Sequence, residues 1–257
     1  IAAVWVLTPF VGGGIAFTIA SLLPRSDVPE RYSISVLAGL VGAVLVNVQF
    51  SFLGEGSPSG TVRGLGQQML AVDGLVSAVA ITGLVALAVG AVVWWDVSRD
   101  KHGGLRRVLL ALGSLVAFSA GGSQVGLAVG PLLPLLNEVG MVSTFAVLVG
   151  GGLGMLVGSW TGAPRMIKSL AQDYSSLGPR RSISALVPSF LIAQLAVLLG
   201  VPISFNEIVV SAIIGSGAAV GGRAAVDARK IGMTVGAWVW SFLLAFALAY
   251  ATAFLLL

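Results

Sequence analysis

Long apolar runs broken by short polar segments set the pattern of the chain. A membrane-crossing helix needs roughly 20 mostly apolar residues. Runs of that kind occupy residues 1–23, 34–53, 70–95, 105–136 and 141–162. Shorter ones at 184–199 and 208–220 flank a polar interruption, and 231–257 closes the chain. The punctuation between them is informative. Pro24-Arg25 ends the first run, and Gly54-Glu55-Gly56-Ser57-Pro58-Ser59-Gly60 ends the second. Trp94-Trp95 closes the third just before Asp96, as an interfacial aromatic anchor does. The pattern predicts an all-α, polytopic membrane helix bundle with broken or re-entrant helices.

Composition narrows the class further. Hydrophobic residues make up 57% of the 257 and charged residues 9%, whereas a soluble domain carries about 25% charge. The mean hydropathy is +1.01. Too little charge remains to cover a water-facing surface, which excludes a soluble enzyme, a nucleic-acid-binding module and a disordered linker. Cysteine is absent, and the single histidine, His102, lies in a charged loop. Thiol chemistry and a zinc site are therefore not expected, and no metal or other cofactor is. No Walker pattern and no paired carboxylates occur, so neither ATP-driven pumping nor enzymatic activity is expected. The apolar run that opens at Ile1 has no charged flank, from which we expect a fragment of a longer protein.

The formal charge of +4 concentrates in three loops. Arg99, Lys101, Arg106 and Arg107 mark the first; Arg165, Lys168, Arg180 and Arg181 the second; Arg223, Arg229 and Lys230 the third. The positive-inside rule places these in the cytoplasm and the loops around Glu55 and Glu138 outside. This requires residues 184–220 to enter and return on one side. It also orients the first and last runs oppositely. Trp5-Val6-Leu7-Thr8-Pro9-Phe10 in the first echoes Trp238-Val239-Trp240-Ser241-Phe242 in the last, as an inverted repeat would. Interfacial tryptophans alone give the same echo.

Two polar interruptions carry the candidate chemistry. The first is Phe118-Ser119-Ala120-Gly121-Gly122-Ser123-Gln124. Paired glycines permit a backbone break, and a new helix start there would present free N–H groups to an anion. Gly121, Gly122, Ser123 and Gln124 are the candidate ligands. The alternative is small-residue packing between helices. The second is Gly200-Val201-Pro202-Ile203-Ser204-Phe205-Asn206-Glu207. Pro202 ends the preceding helix. Ser204 and Glu207 stand at capping-box spacing, so Glu207 could simply cap a helix. As an intramembrane carboxylate it is instead a candidate cation or proton site, with Ser204 and Asn206 as neutral anion ligands. Elsewhere, Asp73 reads as a hydrated helix-start carboxylate and Asn47 and Gln49 as interhelical bonding groups. Ser159, Thr161, Arg165 and Lys168 line the inner end of a span, and residues 172–179 form a cytoplasmic loop.

Residues 118–132 resemble F-S-H-G-A-N-D-V-A-N-A-I-G-P-L, a motif of the inorganic phosphate transporter (PiT) family. Residues 200–215 resemble that family's G-x-P-V-S-T-T-H-x-x-V-G-A-I-I-G. The likeness reaches from Trp5 to the end, with archaeal members the most similar. It implies two inverted repeats around a phosphate and a coupling cation, sodium or proton, near the bilayer centre. Residues 1–23 would then end an upstream first repeat, 24–104 hold connecting loops and two spans, and 105–257 form the second repeat, with broken-helix motifs at 118–131 and 200–215. The expected function is cation-coupled symport of phosphate across the cell membrane by alternating access. A sulfate or other oxyanion permease, a non-transporting phosphate receptor or scaffold, and an anion channel are the alternatives. The expected partners are phosphate, the bilayer and, as an assembly, a homodimer, but not nucleic acid. The chain departs from the motifs at Ser123-Gln124 for Asn-Asp, Leu127 for Asn, and Phe205-Asn206-Glu207 for Thr-Thr-His.

Overall fold

The fold is that of a computed structural model, which describes residues 2–23, 29–50, 53, 60–130, 143–168, 178–201, 203–222 and 226–256. Every extended element among these residues is a helix: α1 Ala2–Leu22, α2 Glu30–Leu45, α3 Val62–Leu70, α4 Leu75–Arg99, α5 Lys101–Val129, α6 Thr144–Lys168, α7 Pro179–Leu198, α8 Phe205–Gly221 and α9 Ala228–Leu256. Five are long and apolar enough to cross a membrane: Leu75–Arg99, Lys101–Gly126, Thr144–Thr161, Pro179–Leu198 and Ala228–Ala251. Val6–Leu22 and Phe205–Gly221 are apolar but shorter. The 17 residues of α8 reach about 25 Å at 1.5 Å per residue, less than the roughly 30 Å hydrocarbon core.

Local chemistry moves several predicted boundaries. α2 stops at Leu45 instead of running to residue 53. Asn47 donates its amide to the Ala43 carbonyl at 2.8 Å and to Thr82 Oγ1 at 3.1 Å, and the chain then pairs Gln49 with Thr61 in an isolated antiparallel bridge. The run at 70–95 is likewise not one helix. Thr61 caps α3 through the Gly64 N–H at 2.9 Å, while left-handed Ala71 (φ 51°) and Gly74 (φ 98°) separate α3 from α4. Asp73 therefore lies exposed before α4 rather than inside a span.

The largest correction concerns α5. It continues as one helix from Lys101 through 118–129, so the break expected in that motif is absent over these residues. Glycine tolerates a break, but without proline or a left-handed residue nothing compels one, and each residue kept helical adds a backbone hydrogen bond.

Packing centres on α7. Leu105, Val108, Leu112 and Val116 form one stripe of α5 at helical spacing, buried in one cluster with Ile183, Val187 and Phe190 of α7. α1 lies across α8 so closely that a Cβ on Gly215 would sit 2.0 Å from the Gly13 carbonyl oxygen. Gly39 and Gly90 play the same part where α2 crosses α4. None of the described side chains of α6 and α9 is buried.

At one end of the bundle three helix starts share a charged knot. The Glu30 carboxylate, 8% exposed, meets Lys101 Nζ at 2.7 Å and the Arg180 guanidinium, joining α2, α5 and α7. Arg107 forks onto Asp96 through two hydrogen bonds of 2.8 Å, and Arg99 stacks on the Trp95 ring at 3.8 Å.

Candidate functional site

The second interruption is a true break between two helices. α7 ends in a Schellman motif: Gly200, at φ +64°, donates its N–H to the Val197 carbonyl at 3.1 Å, and Val201 donates to Ala196 at 2.8 Å. Pro202 lies outside the described residues. Ser204 then caps α8, its hydroxyl accepting the Glu207 N–H at 3.5 Å. The serine at this position thus has the capping role its spacing suggested. The leading N–H groups of any helix lack partners within it, so the start of α8 is a set of oriented donors with a positive dipole end.

The first turn of α8 points its side chains three ways. Phe205, 7% exposed, joins the main core beside α5 and α7. This accounts for the ring at a motif position occupied by a hydroxyl: it serves packing. Asn206 is exposed. Glu207, only 4% exposed, lines an open cavity of about 530 Å³ between α1, α8 and α9. Val6, Pro9 and Phe10 form one wall; Trp238 and Val239, from the segment that echoes α1, form the facing wall.

The first interruption meets this region only through neighbours. Gln194 on α7 donates its amide to Ser119 Oγ on α5, while Ala120 packs on the cluster that holds Phe205. Gly121 is half-buried, Gly122 exposed and Gln124 half-buried. Among the described residues nothing lies within 4 Å of a Cβ placed on Gly121, Gly122 or Gly126, so these glycines do not mark a close helix contact here. The Ser123 side chain lies outside the described set, as do those of Arg165 and Lys168. Ser159 and Thr161 are exposed and bond back to their own helix.

A second cavity, about 420 Å³, lies between the end of α2, Thr61 and the last turn of α7. Asn47, Gln49, Thr61 and Gln194 supply its polar lining. Neither Gln194 nor Thr61 was among the sequence candidates. Gln194 had a usable signal, as the lone amide in an apolar run. Among the described residues no three His, Cys, Asp or Glu side chains cluster to hold a metal ion.

The helix break, with its capped donors and Glu207 buried beside it, is the discontinuous-helix arrangement of a multi-pass membrane protein. The chain belongs to the phosphate transporter family (PHO4), which it matches over residues 1–249, and it is a multi-pass membrane protein. It is 28% identical over 260 residues to the "Probable low-affinity inorganic phosphate transporter" of Mycobacterium tuberculosis, covering 90% of this chain and 61% of that protein. The human "Sodium-dependent phosphate transporter 1" is 29% identical over 153 residues, 56% of this chain and 22% of its own. A solved structure titled "The sodium-dependent phosphate transporter" superposes with a TM-score of 0.66 at 20% identity, covering 93% of this chain and 61% of that one; it supports the fold. The chain spans about three-fifths of the first relatives it matches.

Proposed function

We propose that this chain is the greater part of a secondary transporter that moves inorganic phosphate across the cell membrane, coupled to sodium or protons, by alternating access. The observation that carries the reading is the break at 199–204, which ends α7 and opens α8 with Ser204 as cap and Glu207 buried one turn inside. A tetrahedral oxyanion suits such a start, because backbone donors and a positive dipole end receive it without a full countercharge. Ser204 and Asn206 would face the anion. From the other motif, the side chains of Ser123 and Gln124 on α5 would complete the pocket; Gly121 and Gly122, inside a continuous helix, have no free N–H to add. Glu207 would take the coupling ion.

Uptake of radiolabelled phosphate into proteoliposomes holding the full-length protein tests the reading. It predicts saturable, gradient-driven accumulation that excess unlabelled phosphate displaces and sulfate does not. Binding without flux would instead favour a receptor on the same fold.

A further inference from the structure

We propose that the aromatic and arginine side chains at one end of the α2–α4 crossing form a binding site for an anionic phospholipid, with Arg31 and Arg99 on its phosphate and its acyl chains laid along the two helices. The inference does not depend on what the protein transports.

The depth of the site follows from the length of α4. From Leu75 to Trp95 the helix rises about 30 Å, which matches the roughly 30 Å hydrocarbon core. Trp94 and Trp95 therefore stand at the level of the headgroups, where amphipathic rings settle. Tyr32, in the first turn of α2, lies against Trp94 with ring centroids 6.5 Å apart. All three rings are exposed.

Two guanidinium groups are mounted on these rings. Arg31 Cζ lies 5.0 Å from the Tyr32 centroid and 5.9 Å from the Trp94 centroid, and Arg99 Cζ lies 3.8 Å from the Trp95 centroid. Cations at such distances are attracted to the ring face. A guanidinium stacked by its face still offers N–H groups at its edge, in the fork that fits two phosphate oxygens. Stacking also orders the side chain beforehand, so less freedom is lost when a ligand binds. The neighbouring cations are engaged differently: Lys101 and Arg180 meet Glu30, and Arg107 meets Asp96.

What lies beside the arginines selects a lipid over a soluble anion. Tyr32, Val36 and Leu40 follow at four-residue spacing on α2, while Trp95, Val92 and Leu84 run down one face of α4, and all are exposed. Gly39 and Gly90 let the two helices approach closely. Apolar stripes thus run from the ring-mounted arginines toward the membrane interior on adjacent helices. A soluble anion gains nothing from them, whereas acyl chains cover them. The cluster of Arg99, Lys101, Arg106 and Arg107 puts this end at the cytoplasmic face under the positive-inside rule, and the cytoplasmic leaflet is the one rich in anionic lipid.

Native mass spectrometry of the full-length protein, released from micelles holding equal amounts of phosphatidylglycerol and phosphatidylcholine, tests the site. The protein should retain phosphatidylglycerol in preference. An arginine at an anionic membrane surface is worth about a fivefold gain in affinity, so Arg31→Gln and Arg99→Gln should each weaken that retention by about this factor, and together weaken it further. Arg106→Gln, which removes an exposed arginine from the same end of α5, should leave it unchanged. Brominated phosphatidylglycerol should quench tryptophan fluorescence more than brominated phosphatidylcholine does, and Trp94→Phe combined with Trp95→Phe should remove the excess. The proposal is overturned if the two lipids are retained alike, or if the excess quenching survives the double tryptophan replacement. Equal losses in all three arginine variants would overturn it in favour of diffuse surface charge, and displacement of the lipid by millimolar inorganic phosphate in favour of a soluble-anion site.

Discussion

The two polar interruptions look alike as strings of glycine, serine and amide side chains, yet they fold differently. Residues 118–129 stay within the continuous helix α5, whereas 199–204 separates α7 from α8. Two local features distinguish the second: a glycine actually held at positive φ, with its reciprocal carbonyl bonds, and a serine placed to cap the next helix. A third, Pro202, is visible in the sequence. Glycine grants permission to bend; a break also needs something to end one helix and something to start the next.

The largest effect in this scheme lies where α8 is held after the break. Gly215→Ala places a methyl group against the Gly13 carbonyl, so the α1–α8 crossing must open. Overpacking of this kind costs roughly 1–3 kcal/mol and can exceed that. The expected outcome is a sharp fall in thermal stability in detergent, with loss of monodisperse protein on size-exclusion chromatography. Next comes the break itself. Gly200→Ala forces a Cβ into a left-handed backbone, a penalty of about 1–2 kcal/mol, read as a lower Tm.

Gln194→Leu removes the bond that ties α7 to Ser119 on α5. An interhelical hydrogen bond in a membrane protein contributes about 0.6 kcal/mol on average, and a matching small loss is expected from a double-mutant cycle with Ser119→Ala. The last effect has the opposite sign. Gly122→Ala adds a methyl group into open space within a continuous helix, which should stabilise α5 by up to about 1 kcal/mol. Opposite signs at Gly122 and Gly200 would uphold the distinction; equal destabilisation would erase it.

Most of the architecture was legible in the apolar runs, because a bilayer demands long helices and leaves few other solutions. The end of α7 was legible too, in Gly200-Val201-Pro202 followed by Ser204. The first motif misled because it carries glycines without a terminator among residues 118–129. The turn at 71–74 was hidden inside an apolar stretch, since Ala71 adopts its left-handed geometry without any residue-type signal. What no local pattern encodes is the direction of a side chain. That Phe205 turns into the core and Glu207 into a cavity depends on α5, α7, α1 and α9, which lie far away in sequence.

Because the chain contains no cysteine, a single introduced thiol gives an uncluttered measurement of the central claim, that phosphate is received at the start of α8. In the full-length protein carrying Asn206→Cys as its only cysteine, labelling by a water-soluble maleimide should slow severalfold when phosphate is added, and sulfate at the same concentration should leave it unchanged. Labelling that phosphate does not slow, or that sulfate slows equally, would contradict the account.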